Sequence, residues 1–295
     1  MKLAFSQIAG PFRGHTGGMV WDGRRLLFSA VLEERILAWD PEARSVAEVR
    51  RYTGRTNGLA IGADGILYGA QEGGRRIVRF LPDGSAAQTA DLLDGVHHNQ
   101  PSDLAIDAAQ RIWFTDPHNP IPPYGPRVYP FLDHCSILRL TPDGGGWRLE
   151  RMTQDTRGPR ALALALDGRW LYVADEPGGE LACDLRAYPI QADGRLGPAR
   201  ILHTFPRGER GIEGLCAGPG GTLLACAGSA DAGAGPRLLV FGPDGDVVAT
   251  HVLPVRRPMR LALGDAGGDG LYLTTEEGLL LHAPGRASCG SADCP

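Results

Sequence analysis

Apolar residues along this chain do not fall at helical spacing. They come in short runs, paired across turns, with a polar or glycine-rich break after each pair. One phrase recurs: an apolar run, a Gly/Asp turn, then a second run rich in β-formers. It first appears as Gly18-Met19-Val20-Trp21-Asp22-Gly23 followed by Leu26-Leu27-Phe28-Ser29. It returns as Gly58-Leu59-Ala60-Ile61 before Ile66-Leu67-Tyr68-Gly69, and as Asp103-Leu104-Ala105-Ile106 before Arg111-Ile112-Trp113-Phe114. The last three copies begin at Ala161-Leu162-Ala163-Leu164, Gly214-Leu215-Cys216-Ala217 and Leu261-Ala262-Leu263-Gly264. Each phrase reads as a β-hairpin, because Asp-Gly and Gly-Gly supply the positive φ that tight hairpin turns require.

A third strand follows most copies, as in Arg35–Asp40, Arg76–Phe80, Ser136–Leu140 and Arg237–Phe241. Outer strands are fainter, with candidates at Ala87–Leu92, Arg148–Met152 and Val247–Val252, and Lys2–Ile8 as a strand closing the last unit. The repeat distance of about 40 to 58 residues is that of propeller blades. The pattern therefore predicts an all-β chain: a single six-bladed β-propeller over residues 1–285, with a flexible C-terminal tail over 286–295.

Composition fits that reading. The 42 glycines and 23 prolines imply many turns. A net charge of −4 without a basic tract argues against nucleic acid as a partner. No apolar run reaches membrane-spanning length, and the start is too short and polar for a signal peptide, so a cytoplasmic protein without membrane contact is expected. The six cysteines show no metal-type spacing. Cys216 and Cys226 lie in apolar runs and read as core residues.

In a propeller the inner strands line the channel, so the residues just before each phrase should meet at one mouth. These are Gly17, Asn57, Ser102, Arg160, Glu213 and Arg260. Charged groups beside a channel are costly unless paired or bound to a ligand, which makes this ring the candidate site. A structural alternative pairs Arg160 with Glu213 and holds Arg260 by Asp103 or by solvent. Asp116 and Asp175, at strand ends, are expected to bind backbone N–H groups. The long segment Pro117–His134 exceeds ordinary loop length and is expected to wall the pocket, with His118, Tyr124 and Tyr129 as candidate contacts. His15, His97, His98 and His118 are available nitrogen donors, but their spacing specifies no metal.

The phrases Thr56-Asn57-Gly58-Leu59-Ala60, Asn99-Gln100-Pro101-Ser102-Asp103-Leu104, Trp113-Phe114-Thr115-Asp116-Pro117 and Trp170-Leu171-Tyr172-Val173-Ala174-Asp175 resemble those of the SMP-30/gluconolactonase/luciferin-regenerating family. The resemblance runs from about Gly17 to about Leu281. It implies a six-bladed propeller, hydrolysis of a sugar-type lactone, and a divalent cation, often calcium, in the channel. It also marks departures. The family's first metal-binding Glu falls on Gly17, its second ligand, an Asn, on Arg160, and its channel Asn on Ser102. Its ligand and base Asp falls on Glu213, which keeps the carboxylate, and Asp103 is retained. Calcium takes six to eight oxygens, usually from more than one carboxylate, and a guanidinium at Arg160 repels it.

The leading expectation is a lactonase-type hydrolase acting on a small-molecule substrate, which an arginine-lined pocket allows to be anionic. Glu213 and Asp103 are its catalytic residues, with Glu213 as general base and the one expected metal ligand. Arg160 and Arg260, or a divalent cation in their place, act as electrophile. Asn57, Ser102, Asn99 and His118 complete the substrate-binding set. The alternatives are a non-hydrolytic enzyme on the same propeller, running a condensation or isomerisation, and a non-catalytic binder of a small anionic metabolite.

Overall fold

The computed structural model describes residues 3–124, 130–178, 181–265, 268 and 270–285. The expected tail, with Cys289 and Cys294, and Tyr129 of the long segment lie outside the described residues. The chain is a six-bladed β-propeller in which each blade is a four-stranded antiparallel sheet. The inner strands are Thr16–Trp21, Thr56–Ile61, Leu104–Ile106, Pro159–Leu164, Ile212–Ala217 and Pro258–Gly264. Ser6–Ala9 pairs with Leu280–Ala283 and becomes the outer strand of the last blade, so the N-terminal segment closes the ring as expected. Apart from two short 3-10 turns, no helix occurs among the described residues, and none is long and apolar enough to cross a membrane.

The second strand of each blade is buried on both faces, and strand periodicity divides its side chains between two interfaces. In the first blade, Leu26, Phe28 and Ala30 pack towards the sixth blade, while Leu27 packs towards the second. In the third blade, Ile112 and Phe114 face the second blade and Trp113 faces the fourth. Apolar residues thus form six clusters among the described residues, one at each blade interface. Two expected outer strands are close to their predicted places, at Gly146–Arg151 and Val247–Val252. The third is shorter, Ala86–Gln88. Asp94 and Gly95 take positive φ and fold Leu92–Leu93 back on Val96–His97 as a separate hairpin.

The inner strands crowd the axis. A Cβ on Gly58 would lie 2.7 Å from the Asp103 Cα, and one on Gly214 would lie 2.7 Å from the Arg260 Cα and 2.8 Å from the Met259 carbonyl oxygen. Backbone cannot yield as a flexible side chain can. Gly214→Ala is therefore expected to lose about 1–3 kcal/mol of stability, the usual cost of overpacking a tight site, read as a lower urea midpoint at unchanged slope. A midpoint equal to wild type would show that the strands tolerate more separation.

Candidate active site

The inner strands carry a β-bulge at their first residues in five blades. The register slips between Thr16 and Met19, Thr56 and Leu59, Pro159 and Ala161, Ile212 and Gly214, and Pro258 and Arg260. A bulge inserts a residue that pairs with nothing and re-aims its side chain. Arg160 and Glu213 each occupy that inserted place, and Asn57 lies within the equivalent slip of the second blade.

Register corrects one expectation. In the sixth blade the bulged residue is Met259, so Arg260 belongs one step further into the channel. Its counterparts are Gly58, Ala161 and Gly214, and in the third blade Asp103. Gly58 and Gly214 let neighbouring strand backbones approach there, and Arg260 places a long side chain at the same level. Its Nη1 donates to the Glu213 and Met259 carbonyls. Its Nη2 donates to Ser102 Oγ at 3.2 Å and reaches the Arg160 carbonyl at 3.4 Å. Its Nε lies 3.9 Å from Asp103 Oδ2. Arg260 is thus a buried partition across the channel, not a group facing the mouth. Asp103 shares that layer: its carboxylate accepts the Leu104 and Leu162 N–H groups, and burial raises its pKa against the pull of Arg260.

Above the partition, three carboxyls and several guanidiniums face one cup. Glu213 is ion-paired with Arg257, which also reaches Glu276 at 3.1 Å. Burial acts to raise the Glu213 pKa, but Arg257, Arg160 and Arg260 together outweigh it and hold the carboxyl below its ordinary value. Glu176 accepts from Arg210 at 3.0 Å, and its second oxygen lies 3.8 Å from Arg160 Nε without a hydrogen bond. Burial, followed by the Glu213 charge, raises the Glu176 pKa. Glu72 accepts from Asn57 Nδ2 at 2.7 Å, and burial raises its pKa too. Arg160 is a quarter exposed and has no hydrogen bond from its guanidinium among the described residues. Asn57 Oδ1 is likewise buried without a partner. His15 borders the same cup: burial first, then Arg260, with Arg257 adding and Glu213 opposing, brings its pKa down to about 4.

Arg160, Glu213, Asn57 and Ser102 are therefore brought together, with Arg260 and Asp103 beneath them. Asn99 is not in the cup. Its amide donates to the Asp116 and His134 carbonyls and accepts from the Leu132 N–H, so its bonding capacity is spent on fixing the loop. His118 lies outside as well, exposed, with its ring nitrogen 3.1 Å from the Leu132 carbonyl. Asp116 and Asp175 accept backbone N–H groups as expected, from Asn99 and from Gly158. The long segment crosses the second blade: Gln100 donates to the Ile121 carbonyl, the Tyr124 N–H bonds the Gly73 carbonyl, the Arg55 guanidinium lies 4.5 Å from the Tyr124 ring centre, and the Tyr124 hydroxyl meets Glu34.

Sequence reasoning missed Arg257, Glu176, Glu72 and Arg210. A signal existed. Glu72, Glu176 and Glu276 each follow the last residue of a second strand, and Arg210 and Arg257 each precede a ring position within three residues.

The donor set does not fit the family's calcium. The ring positions supply one carboxylate and one amide oxygen, the carboxylate is committed to Arg257, and a guanidinium stands where an oxygen ligand is needed. Among the described residues no group of three His, Cys, Asp or Glu side chains is placed to hold a metal.

Comparison with known proteins agrees with this architecture. The profile of the SMP-30/gluconolactonase/LRE-like region matches residues 16–277. A gluconolactonase of Zymomonas mobilis is 26% identical over 245 residues, which is 78% of this chain and 67% of that protein. A 6-deoxy-6-sulfogluconolactonase of Pseudomonas putida is 29% identical over 184 residues, 61% of this chain and 55% of that protein. The solved structure of a gluconolactonase from Xanthomonas campestris superposes with a TM-score of 0.80 at 28% identity, covering 96% of this chain and 89% of that one. Regucalcin from Agrobacterium tumefaciens, a calcium-binding protein, gives a TM-score of 0.74 at 15% identity over 96% and 94% of the two chains, a likeness of fold alone.

His15 supplies a pH test. Its folded pKa lies below the ordinary 6.5, so the unfolded chain binds the extra proton first, and the contribution to stability is lost as pH falls from 6.5 towards about 4. Urea unfolding at pH 7, 5.5 and 4.5 is expected to show His15→Gln losing less stability over that range than wild type. Parallel slopes for the two proteins would mean that the imidazole titrates normally.

Proposed function

The chain belongs to the SMP-30/gluconolactonase/LRE-like family, and we propose that it is a hydrolase that opens a sugar-type lactone or related ester in the cup, with Arg160 in the place of a metal ion. The named activities of its relatives favour gluconolactone-type rings. The observation that carries the reading is the Arg160 guanidinium: aimed inward by a bulge, without hydrogen bonds of its own, beside a carboxylate kept ionised by Arg257.

The chemistry follows from those two groups. The Arg160 N–H donors suit the planar carbonyl of a bound lactone and the negative charge that develops on its oxygen. Glu213 accepts a proton from water as the water oxygen attacks the carbonyl carbon. The ring C–O bond then breaks, the departing ring oxygen takes the proton from Glu213, and a hydroxy acid leaves. Asn57, whose amide oxygen is buried and whose amide N–H donates to Glu72, orients that carboxyl beside the substrate. Arg260, reassigned to the partition, acts as a positioning residue by holding the Glu213 and Arg160 carbonyls. Asp103 holds Arg260 from the other side.

The loops leading into the last three blades carry Arg157, Arg160, Arg207, Arg210, Arg256 and Arg257. This favours substrates with an anionic substituent, so the substrate panel includes gluconolactone and its sulfonated and carboxylated analogues. Lactone opening, followed by proton release, is expected to survive excess chelator. Arg160→Met is expected to lower kcat about 10²–10³-fold, the usual loss for removing one oxyanion donor. Glu213→Gln is expected to lower it about 10²–10⁴-fold with far-ultraviolet dichroism unchanged. Because Glu213 titrates below the ordinary carboxylate value of 4.5, turnover should hold down to that pH. Loss of turnover on chelation, or full activity in Glu213→Gln, would overturn the assignment.

A further inference from the structure

The partition at Arg260 divides the channel, and the part on the far side from the cup is a cavity of about 580 Å³. Its lining comes from the later residues of the inner strands and the turns that follow, in all six blades. The walls are apolar, including Trp21, Ile106, Leu164, Cys216 and Leu263, with Leu166 at the rim and 74% exposed. Among the described residues, charged groups line it only where the inner end meets the partition, as Asp103 and Arg260. The volume lies within the roughly 300–1,000 Å³ of small-molecule sites, and an apolar lining with a few convergent polar groups is their usual make-up.

The inner end decides the ligand. Asp103 and Arg260 lie 3.9 Å apart as an acid and a base, and their side chains are 13% and 6% exposed. A carboxylate placed there would face Asp103, and an ammonium would face Arg260. A hydroxyl both donates and accepts, so it can give its proton to the more exposed Asp103 and present a lone pair to the guanidinium side. We propose that this lower chamber is a second ligand site, separate from the cup, that takes an uncharged amphiphile: an aliphatic alcohol with its hydroxyl at the Asp103–Arg260 pair and its chain along the apolar walls.

The test needs no turnover, so it stands or falls separately from the lactonase reading. Binding of 1-octanol, octanoate and octylammonium to the full chain is measured by calorimetry and by saturation-transfer NMR. Octanol is expected to bind with a submillimolar Kd, about tenfold more tightly than either ion, a difference of ~1.4 kcal/mol. Ala105→Phe with Ala217→Phe, which fills the chamber, is expected to weaken octanol at least tenfold. The exposed rim variant Leu166→Asp, which leaves the core intact, is expected to weaken it as well. Fluorescence of Trp21 should change on titration in wild type and be silent in Trp21→Phe. Absence of octanol binding up to its solubility limit, either ion binding as tightly, or both chamber variants binding like wild type would overturn the proposal and leave a hydrated channel.

Discussion

The structure depends on one side chain laid across its axis. Arg260 starts on the sixth blade and gives its donors to carbonyls of the third, fourth and fifth, at Ser102, Arg160 and Glu213, as well as to its own neighbour Met259. A buried guanidinium is costly to desolvate, and the cost is offset only when its donors are met. Four carbonyls meet the two terminal nitrogens, while Nε has no hydrogen bond among the described residues and only the Asp103 carboxylate, 3.9 Å away, offsets its charge. Gly58 and Gly214 let neighbouring inner strands close on one another, because a Cβ at either would lie 2.7 Å from backbone of the next blade. The result ties four blades together at a point where no apolar core reaches.

That tie also gives the cup its rigidity. Glu213 and Arg160 hang from bulges whose carbonyls are the ones Arg260 holds, so their backbone is fixed from beneath while the blade interfaces fix it from the sides. Under the proposed function, in which Arg160 stands where a metal ion would, rigid placement matters. A cation draws its ligands inward and organises them. A guanidinium has to be aimed, because its donors lie in one plane. The bulge between Pro159 and Ala161 aims it, and the carboxyls of Glu176, Glu72 and Glu213 around it offset its charge.

Much of this was legible in the sequence, for a physical reason. Blade hairpins need β-formers and positive-φ turns at fixed intervals, so the architecture is written in local chemistry. The convergence of Arg160, Glu213, Asn57 and Ser102 followed from topology alone. What the sequence hid was register. One bulged residue moves a side chain by a full step along the strand, which is why Arg260 reads as a ring residue and folds as the partition. The Arg257–Glu213 pair was hidden because its arginine lies on a loop outside the phrase. Asn99 sits in a family-like phrase, yet its amide is consumed by Asp116, His134 and Leu132. A phrase fixes the fold of a loop more reliably than it fixes which side chain faces the ligand.

In the proposed function, the replacement of a metal by arginine reaches beyond one position, because the carboxyls of the cup answer to it. Three buried carboxyls around a divalent ion would all be held ionised by it. Around single guanidinium charges they divide instead: Glu213, with Arg257 and Arg160 against it, is pulled below its ordinary pKa, while Glu176 and Glu72 are pushed up by burial. One site therefore holds a carboxyl of lowered proton affinity, Glu213, next to carboxyls with raised proton affinity. Groups whose pKa values are driven apart by their surroundings are what acid–base chemistry at neutral pH requires. In the proposed mechanism the local charge balance, set by Arg257 on one side and by its absence beside Glu72 on the other, takes the part that coordination by a bound ion would take. It follows that Arg257, although on a loop outside the repeated phrase, is as much a part of the site as Arg160.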